Sequence, residues 1–95
     1  MALFTVIADY RGGTYIRQLR ASGVQSALEQ WARELPNIKG SFIGVATKRK
    51  LSAAVRESDN RPVAIEGTEN VWFWCACGFE VHLVKTEASE AYLSR

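Results

Sequence analysis

Hydrophobic and polar positions alternate along the first twenty residues in two separate runs, residues 2 to 9 and residues 14 to 21. Alternation with a period of two is typical of β-strands, because successive side chains of a strand point to opposite faces of a sheet. Gly12-Gly13 lies between the runs and accepts the positive φ angles of a tight hairpin turn. The pattern therefore predicts an antiparallel hairpin, with the loop centred on Arg11-Gly12 or on Gly12-Gly13. Either loop places Leu19 on the face of Phe4, Val6 and Ala8, and the other face then carries Thr5, Ile7, Ile16, Gln18 and Arg20.

From Ser22 the period of the pattern becomes helical. Ser22 or Gly23 can cap the start of a helix, and Ser22 and Gln25 have the spacing of a capping box. Pro36 restricts the residue before it and ends the helix at Leu35. Because one stripe is apolar and the opposite one is polar, we expect the helix to lie on the apolar face of the hairpin. The apolar stripe consists of Val24, Ala27, Leu28, Trp31 and Leu35.

The middle of the chain has a weaker pattern. Residues 40 to 46 fit either a short strand or an ordered loop, and whether residues 41 to 46 pair with the sheet stays open. Thr47 can cap a second, short helix that continues to about Glu57. Residues 58 to 62 then predict a turn, followed by an extended segment from Val63 to about Gly67. The buried side of the short helix would consist of Leu51, Ala54 and Val55.

Residues 70 to 86 predict a second hairpin. An aromatic run and an alternating run flank Cys77-Gly78, which suits a two-residue turn and therefore determines the register. The predicted pairs are Ala76 with Phe79, Cys75 with Glu80, Trp74 with Val81, Phe73 with His82, and Trp72 with Leu83. One face is then wholly apolar and belongs to the core: Trp72, Trp74, Ala76, Phe79, Val81 and Leu83. The reverse face carries Val71, Phe73, Cys75, Glu80, His82 and Val84.

These elements predict one α+β domain over residues 1 to 95: a two-layer sandwich with a small antiparallel sheet of two hairpins (ββα…ββ) and one long and one short helix on one face. The other sheet face would be open and more apolar than a solvated face needs. We expect another molecule to cover it, either another protein or a second copy of this chain, since twofold dimers are the commonest oligomers. The predicted partner-binding residues are Ile16, Arg20, Phe73, Cys75 and His82.

Length and composition add the broad class. The 95 residues are 47% hydrophobic and 23% charged, which is ordinary for a globular domain and excludes a disordered or collagen-like chain. No apolar run approaches the roughly 18 residues that span a bilayer. The N-terminus has no basic segment of the secretory-signal type. We therefore expect a soluble, cytoplasmic protein without a membrane partner.

The net charge of +2 is small but unevenly distributed. Residues 48 to 61 hold five basic and two acidic residues, a net charge of +3, whereas residues 62 to 95 hold two basic and five acidic residues, a net charge of −3. Clustered cations are what phosphate groups require, so nucleic-acid binding is the alternative function. A solvated helix face explains the same cluster. Its candidate residues are Lys48, Arg49, Lys50 and Arg56.

Cys75, Cys77 and His82 are the candidates for metal or thiol chemistry. A structural zinc site takes four ligands, and one C-x-C with one histidine does not supply them. Nothing in the pattern orients His82 as a base for a thiol nucleophile. The sequence contains no G-x-G-x-x-G, Walker A, G-x-S-x-G or H-E-x-x-H motif. We therefore expect no metal, no cofactor and no enzymatic activity, with the three tryptophans in the core rather than in a ligand cage.

A set of short motifs carries a resemblance: Tyr10-x-Gly-Gly-Thr-Tyr-Ile16, Ala27-Leu28-x-x-Trp31-Ala32, Pro62-Val63 and Gly67-x-x-Asn70-Val-Trp72. Over most of its length the chain resembles small bacterial proteins of unknown function, a likeness that implies no activity. Residues 4 to 35 also resemble the partial RNase H-like fold of HicB-type antitoxins. Such proteins neutralise a small RNase toxin and often bind DNA through an added segment. This second likeness implies an antitoxin-like role, but it fades beyond Pro36, because the aromatic strand from Trp72 to Trp74 has no place in that pattern.

Overall fold

The structure is a computed structural model that describes residues 1–35 and 44–86. The described part of the chain has the predicted α+β class. None of its helices combines the length and the apolar character that crossing a membrane requires. In chain order the elements are β1 (Ala2–Tyr10), β2 (Gly13–Ala21), α1 (Val24–Arg33), α2 (Val45–Arg56), β3 (Val63–Ala64), β4 (Val71–Ala76) and β5 (Phe79–Thr86).

The strands form one five-stranded sheet in the order β2-β1-β5-β4-β3. Every neighbouring pair is antiparallel. Both predicted hairpins are present, and β1 pairs with β5 to join them. The strands nearest to the two ends of the described chain therefore lie side by side near the middle of the sheet. The nine-residue β2 and the two-residue β3 form its edges.

Both hairpins turn through two residues with positive φ angles. Arg11 and Gly12 have φ values of 47° and 79°, and Cys77 and Gly78 have φ values of 54° and 83°. Positive φ at both positions is the type I′ pattern, whose twist matches that of the flanking strands. The β4–β5 register confirms all five predicted pairs, from Ala76 opposite Phe79 to Trp72 opposite Leu83.

One buried cluster joins the two helices to one face of the sheet, which we call the helix face. Aromatic contacts lie at its centre. The Phe79 ring stacks on Tyr10, with centroids 4.0 Å apart and planes 9° apart, and meets the edge of Trp31 at 5.6 Å and 82°. The indole Nε1 of Trp74 donates a 2.8 Å hydrogen bond to the backbone oxygen of Asn60. All three tryptophans lie in or against this cluster, as predicted. The helices contribute Ala27, Leu28, Trp31, Ala32, Leu51, Ala54 and Val55 to it.

The helix boundaries correct several predictions. The second helix is not short: α2 has 12 residues and α1 has 10. It begins at Val45 after Gly44, so Thr47 lies inside the helix rather than at its cap. Val45 and Ala46 are therefore helical, whereas the open choice between strand and loop for residues 40 to 43 lies outside the described residues.

The predicted capping box at the start of α1 is absent. Gly23 is the N-cap and makes no side-chain capping bond. The Gln25 side chain instead donates its Nε2 hydrogen to the backbone oxygen of Val55 at 2.8 Å, and Ser22 Oγ lies 3.1 Å from Ser26 Oγ. A contact with α2 thus replaces the local cap, because the amide satisfies a carbonyl near the end of the neighbouring helix.

Candidate interaction surface

The open face of the sheet carries the side chains that alternate away from the helices. One row, which we call the central row, crosses the whole sheet and takes one residue from each strand. It follows from the registers of all four strand pairs. In the spatial order of the strands, the central row is Ile16, Ile7, His82, Phe73 and Val63.

The central row is apolar at both of its edges. Ile16 and Val63, the two end residues, are each 67% exposed. Between them, Ile7, His82 and Phe73 are half-buried. The imidazole of His82 lies against the Phe73 ring, with centroids 5.1 Å apart and planes 56° apart. Four apolar side chains and the imidazole of His82 thus form one line from one edge of the sheet to the other, and no helix of the described residues covers them.

Next to the central row lies a second row, the threonine row, which mixes hydrogen-bonded and apolar groups. Gln18 Nε2 donates a 3.0 Å hydrogen bond to Thr5 Oγ1. Thr5 Oγ1 in turn lies 2.9 Å from Thr86 Oγ1. These bonds connect β2, β1 and β5 across the open face and hold the strands in register. The threonine row itself is Gln18, Thr5, Val84 and Val71.

Among the strand side chains that form the rows, the two ends of the open face carry opposite charge. At the end near the hairpin turns, Asp9 lies opposite Glu80 on the neighbouring strand. Thr14 donates its Oγ1 hydrogen to Asp9 Oδ1 at 2.5 Å. At the other end, the exposed Arg20 lies opposite Leu3, which is followed by Thr86. We call these lines the acidic row (Thr14, Asp9, Glu80 and Cys75) and the Arg20 row (Arg20, Leu3 and Thr86).

The five predicted partner-binding residues all lie on the open face, and three of them belong to the central row. Ile16, Phe73 and His82 line up across the strands, whereas Cys75 lies in the acidic row and Arg20 at the opposite end. Sequence reasoning missed Val63, whose two-residue strand leaves no visible alternation. It also missed that Glu80 lies beside Asp9 at one end of the face, because that neighbourhood depends on the pairing of β1 with β5.

On the helix face the only ion pair within residues 1–35 and 44–86 links the edge strand β2 to the end of α1. Arg17 donates a hydrogen bond from Nη2 to Glu34 Oε1, and both side chains are about one-third exposed. Partial burial raises the pKa of the Glu34 carboxyl, but hydrogen bonds from Gln30 and Arg17 and the charges of Arg17 and Arg33 outweigh it. The net pKa of Glu34 is lower than its ordinary value, so the carboxylate form is favoured.

The basic cluster predicted from the sequence lies on the outward side of α2. Lys48, Arg49 and Arg56 line a shallow depression of about 430 Å³ together with Ser52. Its remaining lining residues are Val45 and Ala53, so no acidic side chain is among them. Lys50 is exposed but lies outside this depression. Three of the four candidate cations therefore share one surface.

The cysteine and histidine candidates do not converge on a common point. Cys75 and Cys77 are exposed free thiols, the first in β4 and the second in the β4–β5 turn. His82 lies beside Phe73 in the central row, whereas Cys75 lies one row away, in the acidic row. Within the described part of the chain, no three histidine, cysteine, aspartate or glutamate residues are grouped so that they could hold a metal ion.

No family model, curated protein or solved structure matches the chain. The resemblances to small bacterial proteins and to HicB-type antitoxins therefore stay predictions. The two surfaces that remain as candidate sites are the open face of the sheet and the basic side of α2.

Proposed function

We propose that this protein is a non-enzymatic interaction module that pairs with a second copy of itself through the open face. The central row carries this proposal. It ends in two side chains, Ile16 and Val63, that are each 67% exposed. Exposed apolar surface that forms one contiguous line is typical of a protein–protein interface. Burying it against another molecule removes its contact with water, and this transfer is the main favourable term in association.

The area of the open face is close to the lower limit for a specific dimer. Its four rows hold sixteen side chains, and each takes up about 4.8 Å across the strands and about 6.6 Å along them, which gives roughly 500 Å² for each copy. Two such faces together bury about 1,000 Å², which is the area that a specific protein–protein interface should reach. The composition also fits, since such interfaces combine an apolar centre with a polar rim. A second copy is the simplest partner because a self-complementary twofold contact needs no other chain.

Light scattering of the parent and of Phe73→Asp tests the proposal. We expect a mass of two chains for the parent and of one chain for Phe73→Asp, because the new carboxylate would be buried at the centre of the interface without a partner. The helical circular dichroism should be unchanged, since Phe73 lies outside the buried cluster.

Val45→Asp is the matched control for this experiment. Val45 is an exposed valine on α2, away from the open face, and its substitution should leave the dimer intact. A parent protein with the mass of one chain at concentrations up to the millimolar range would contradict the proposal. So would an undiminished dimer of folded Phe73→Asp.

A second candidate function is nucleic-acid binding through α2. It is supported by Lys48, Arg49 and Arg56, which line one depression that no acidic side chain enters. Contacts of this kind release counterions from phosphates and depend strongly on salt. We expect Arg49→Ala to weaken binding to RNA or DNA and to lower its salt dependence, whereas Arg11→Ala, with the same charge change in the β1–β2 turn, should not. A parent protein that is not retained on either nucleic acid at low salt would exclude this function.

A further inference from the structure

We infer that the two copies in the proposed dimer stack with antiparallel strands, so that the acidic row of each faces the Arg20 row of the other. This inference rests on the proposed function and adds the orientation of the partner. It depends on one observation, which is that the open face is polarised along its strands. Asp9 and Glu80 lie at one end of the face, Arg20 lies at the other, and the central row separates them.

Twofold symmetry restricts how two such faces can meet. When two copies stack face to face, the axis lies in the plane between the sheets. Sheets that pack in the aligned way keep their strand directions within about 30° of each other. The axis then runs either along the strands or across them. An axis along the strands makes the strands of the two copies parallel, and an axis across the strands makes them antiparallel.

The two orientations have opposite electrostatics. With parallel strands each row meets the same row of the second copy, so the carboxylates of Asp9 and Glu80 face an identical pair. Like charges brought together at an interface are unfavourable and act against that arrangement. With antiparallel strands the order of the rows is reversed in the second copy. Arg20 then faces Thr14 of the second copy, and its long side chain reaches the neighbouring strand, where Asp9 lies.

The rings of β4 and β5 meet apolar groups in the antiparallel arrangement. The axis lies between the central row and the threonine row, so each of these rows meets the other. Phe73 then packs on Val71 of the second copy, and His82 packs on Val84, because both members of each pair belong to the same strand. The two rings of the central row thus meet smaller aliphatic side chains, whereas Ile16 and Ile7 face the polar members of the threonine row, Gln18 and Thr5. Large groups facing small ones interdigitate, as packing at interior density requires.

A charge exchange measured by analytical ultracentrifugation tests this orientation. Arg20→Glu alone and Asp9→Lys alone should each raise the dimer dissociation constant about tenfold, since each brings like charges together. The double variant Arg20→Glu/Asp9→Lys should return to within about threefold of the parent, because it restores an opposite pair. Arg49→Glu, which makes the same charge change on α2, should leave the dissociation constant unchanged. Circular dichroism of each variant establishes that it folds.

The salt dependence of the parent gives a second readout that needs no variant. Salt screens both attraction and repulsion between exposed charges. In the antiparallel dimer, added salt should weaken association, whereas in the parallel dimer it should strengthen it. A tighter dimer for Asp9→Lys, or for the parent in high salt, would overturn the orientation and leave the dimer itself standing. A parent that stays monomeric would instead remove the proposed function on which the inference rests.

Discussion

The helix face and the open face of the sheet are built from the same strands, yet their side chains are used differently. On the helix face, Phe79 is 1% exposed and Trp74 is 2% exposed. On the open face, Ile16 and Val63 at the ends of the central row are each 67% exposed. Alternation along a strand therefore gives the chain two apolar surfaces, and the described helices cover only one of them.

The arrangement of charge separates the two faces further. No charged side chain of the described residues is fully buried in the helix face, where Arg17 and Glu34 pair at its rim. The open face has an apolar centre with charged groups at both ends. A surface buried within one chain needs no charge to select its partner, whereas a surface that meets another molecule uses charge to set orientation. This difference is the reason that we read the open face as an interface rather than as an incomplete core.

The largest expected loss of stability comes from truncating a buried side chain of the helix face. Phe79→Ala should lower the free energy of unfolding by about 3 to 5 kcal/mol, because a buried aromatic ring leaves a cavity. Phe73→Ala, a neighbour on the open face, should cost less than about 1 kcal/mol. Urea unfolding at a protein concentration below that of dimer formation measures both. Equal losses for the two variants would mean that the two faces are equally important for folding.

A truncation at the edge of the open face should weaken the dimer but hardly change the stability of the monomer. Ile16→Ser should change the stability of the monomer by less than about 0.5 kcal/mol. It should raise the dimer dissociation constant about tenfold or more, since both copies lose apolar area at the interface. Sedimentation equilibrium measures the second effect, with Val45→Ser as the control at a similarly exposed position on α2. The prediction fails if Ile16→Ser and Val45→Ser have the same dissociation constant.

The ion pair at the rim of the helix face gives a smaller, pH-dependent effect. Arg17→Met should cost about 0.5 to 1 kcal/mol at neutral pH, as is usual for a partly exposed pair. Because the pKa of Glu34 is lowered in the folded state, the pair stabilises the fold above the ordinary carboxyl pKa. That contribution should disappear as the pH falls through the lowered value. Unfolding curves of both proteins at several pH values should therefore differ at neutral pH and converge in acid.

The smallest expected change in stability concerns the β4–β5 turn, whose register determines the face on which each residue of the two strands lies. Cys77 has a φ angle of 54° and Gly78 follows it with 83°. Asparagine tolerates this left-handed conformation better than most residues, and Asn-Gly is a preferred type I′ pair. Cys77→Asn should therefore raise the free energy of unfolding by about 0.3 kcal/mol. Cys77→Val should lower it, because a β-branched residue is strained at positive φ. Thermal unfolding of the two variants in opposite directions would confirm the turn type.

The β4–β5 register could be predicted because it depends on neighbouring residues. Two residues at the turn determine every pair between Ala76–Phe79 and Trp72–Leu83, and alternation then assigns each residue to a face. The composition of the open face follows from the same rule. Local chemistry was therefore sufficient for the α+β class and for placing Ile16, Phe73 and His82 on the open face, whereas the place of Val63 depends on the pairing of β3 with β4.

The features that sequence reasoning missed depend on distant contacts. The hydroxyl of Thr47 predicts a helix cap at that residue, but α2 already begins at Val45, after Gly44. The spacing of Ser22 and Gln25 is that of a capping box, but the Gln25 amide donates its hydrogen bond to the backbone oxygen of Val55 on the other helix. The position of Glu80 beside Asp9 also requires β1 and β5 to be neighbours, and no short pattern in either strand predicts that pairing.

The pairing of β1 with β5 has a consequence for how the chain folds as it is synthesised. Thr5 and Thr86 share a hydrogen bond although they are 81 positions apart. One edge of β1 can pair with β2 early, but its other edge has no partner until β5 and thus nearly all of the described residues have been made. Such long-range closure slows folding and leaves apolar strands open to wrong partners in the meantime. Until β5 is made, the edge of β1 that will pair with it is open to other strands and is a place where the unfinished chain can aggregate.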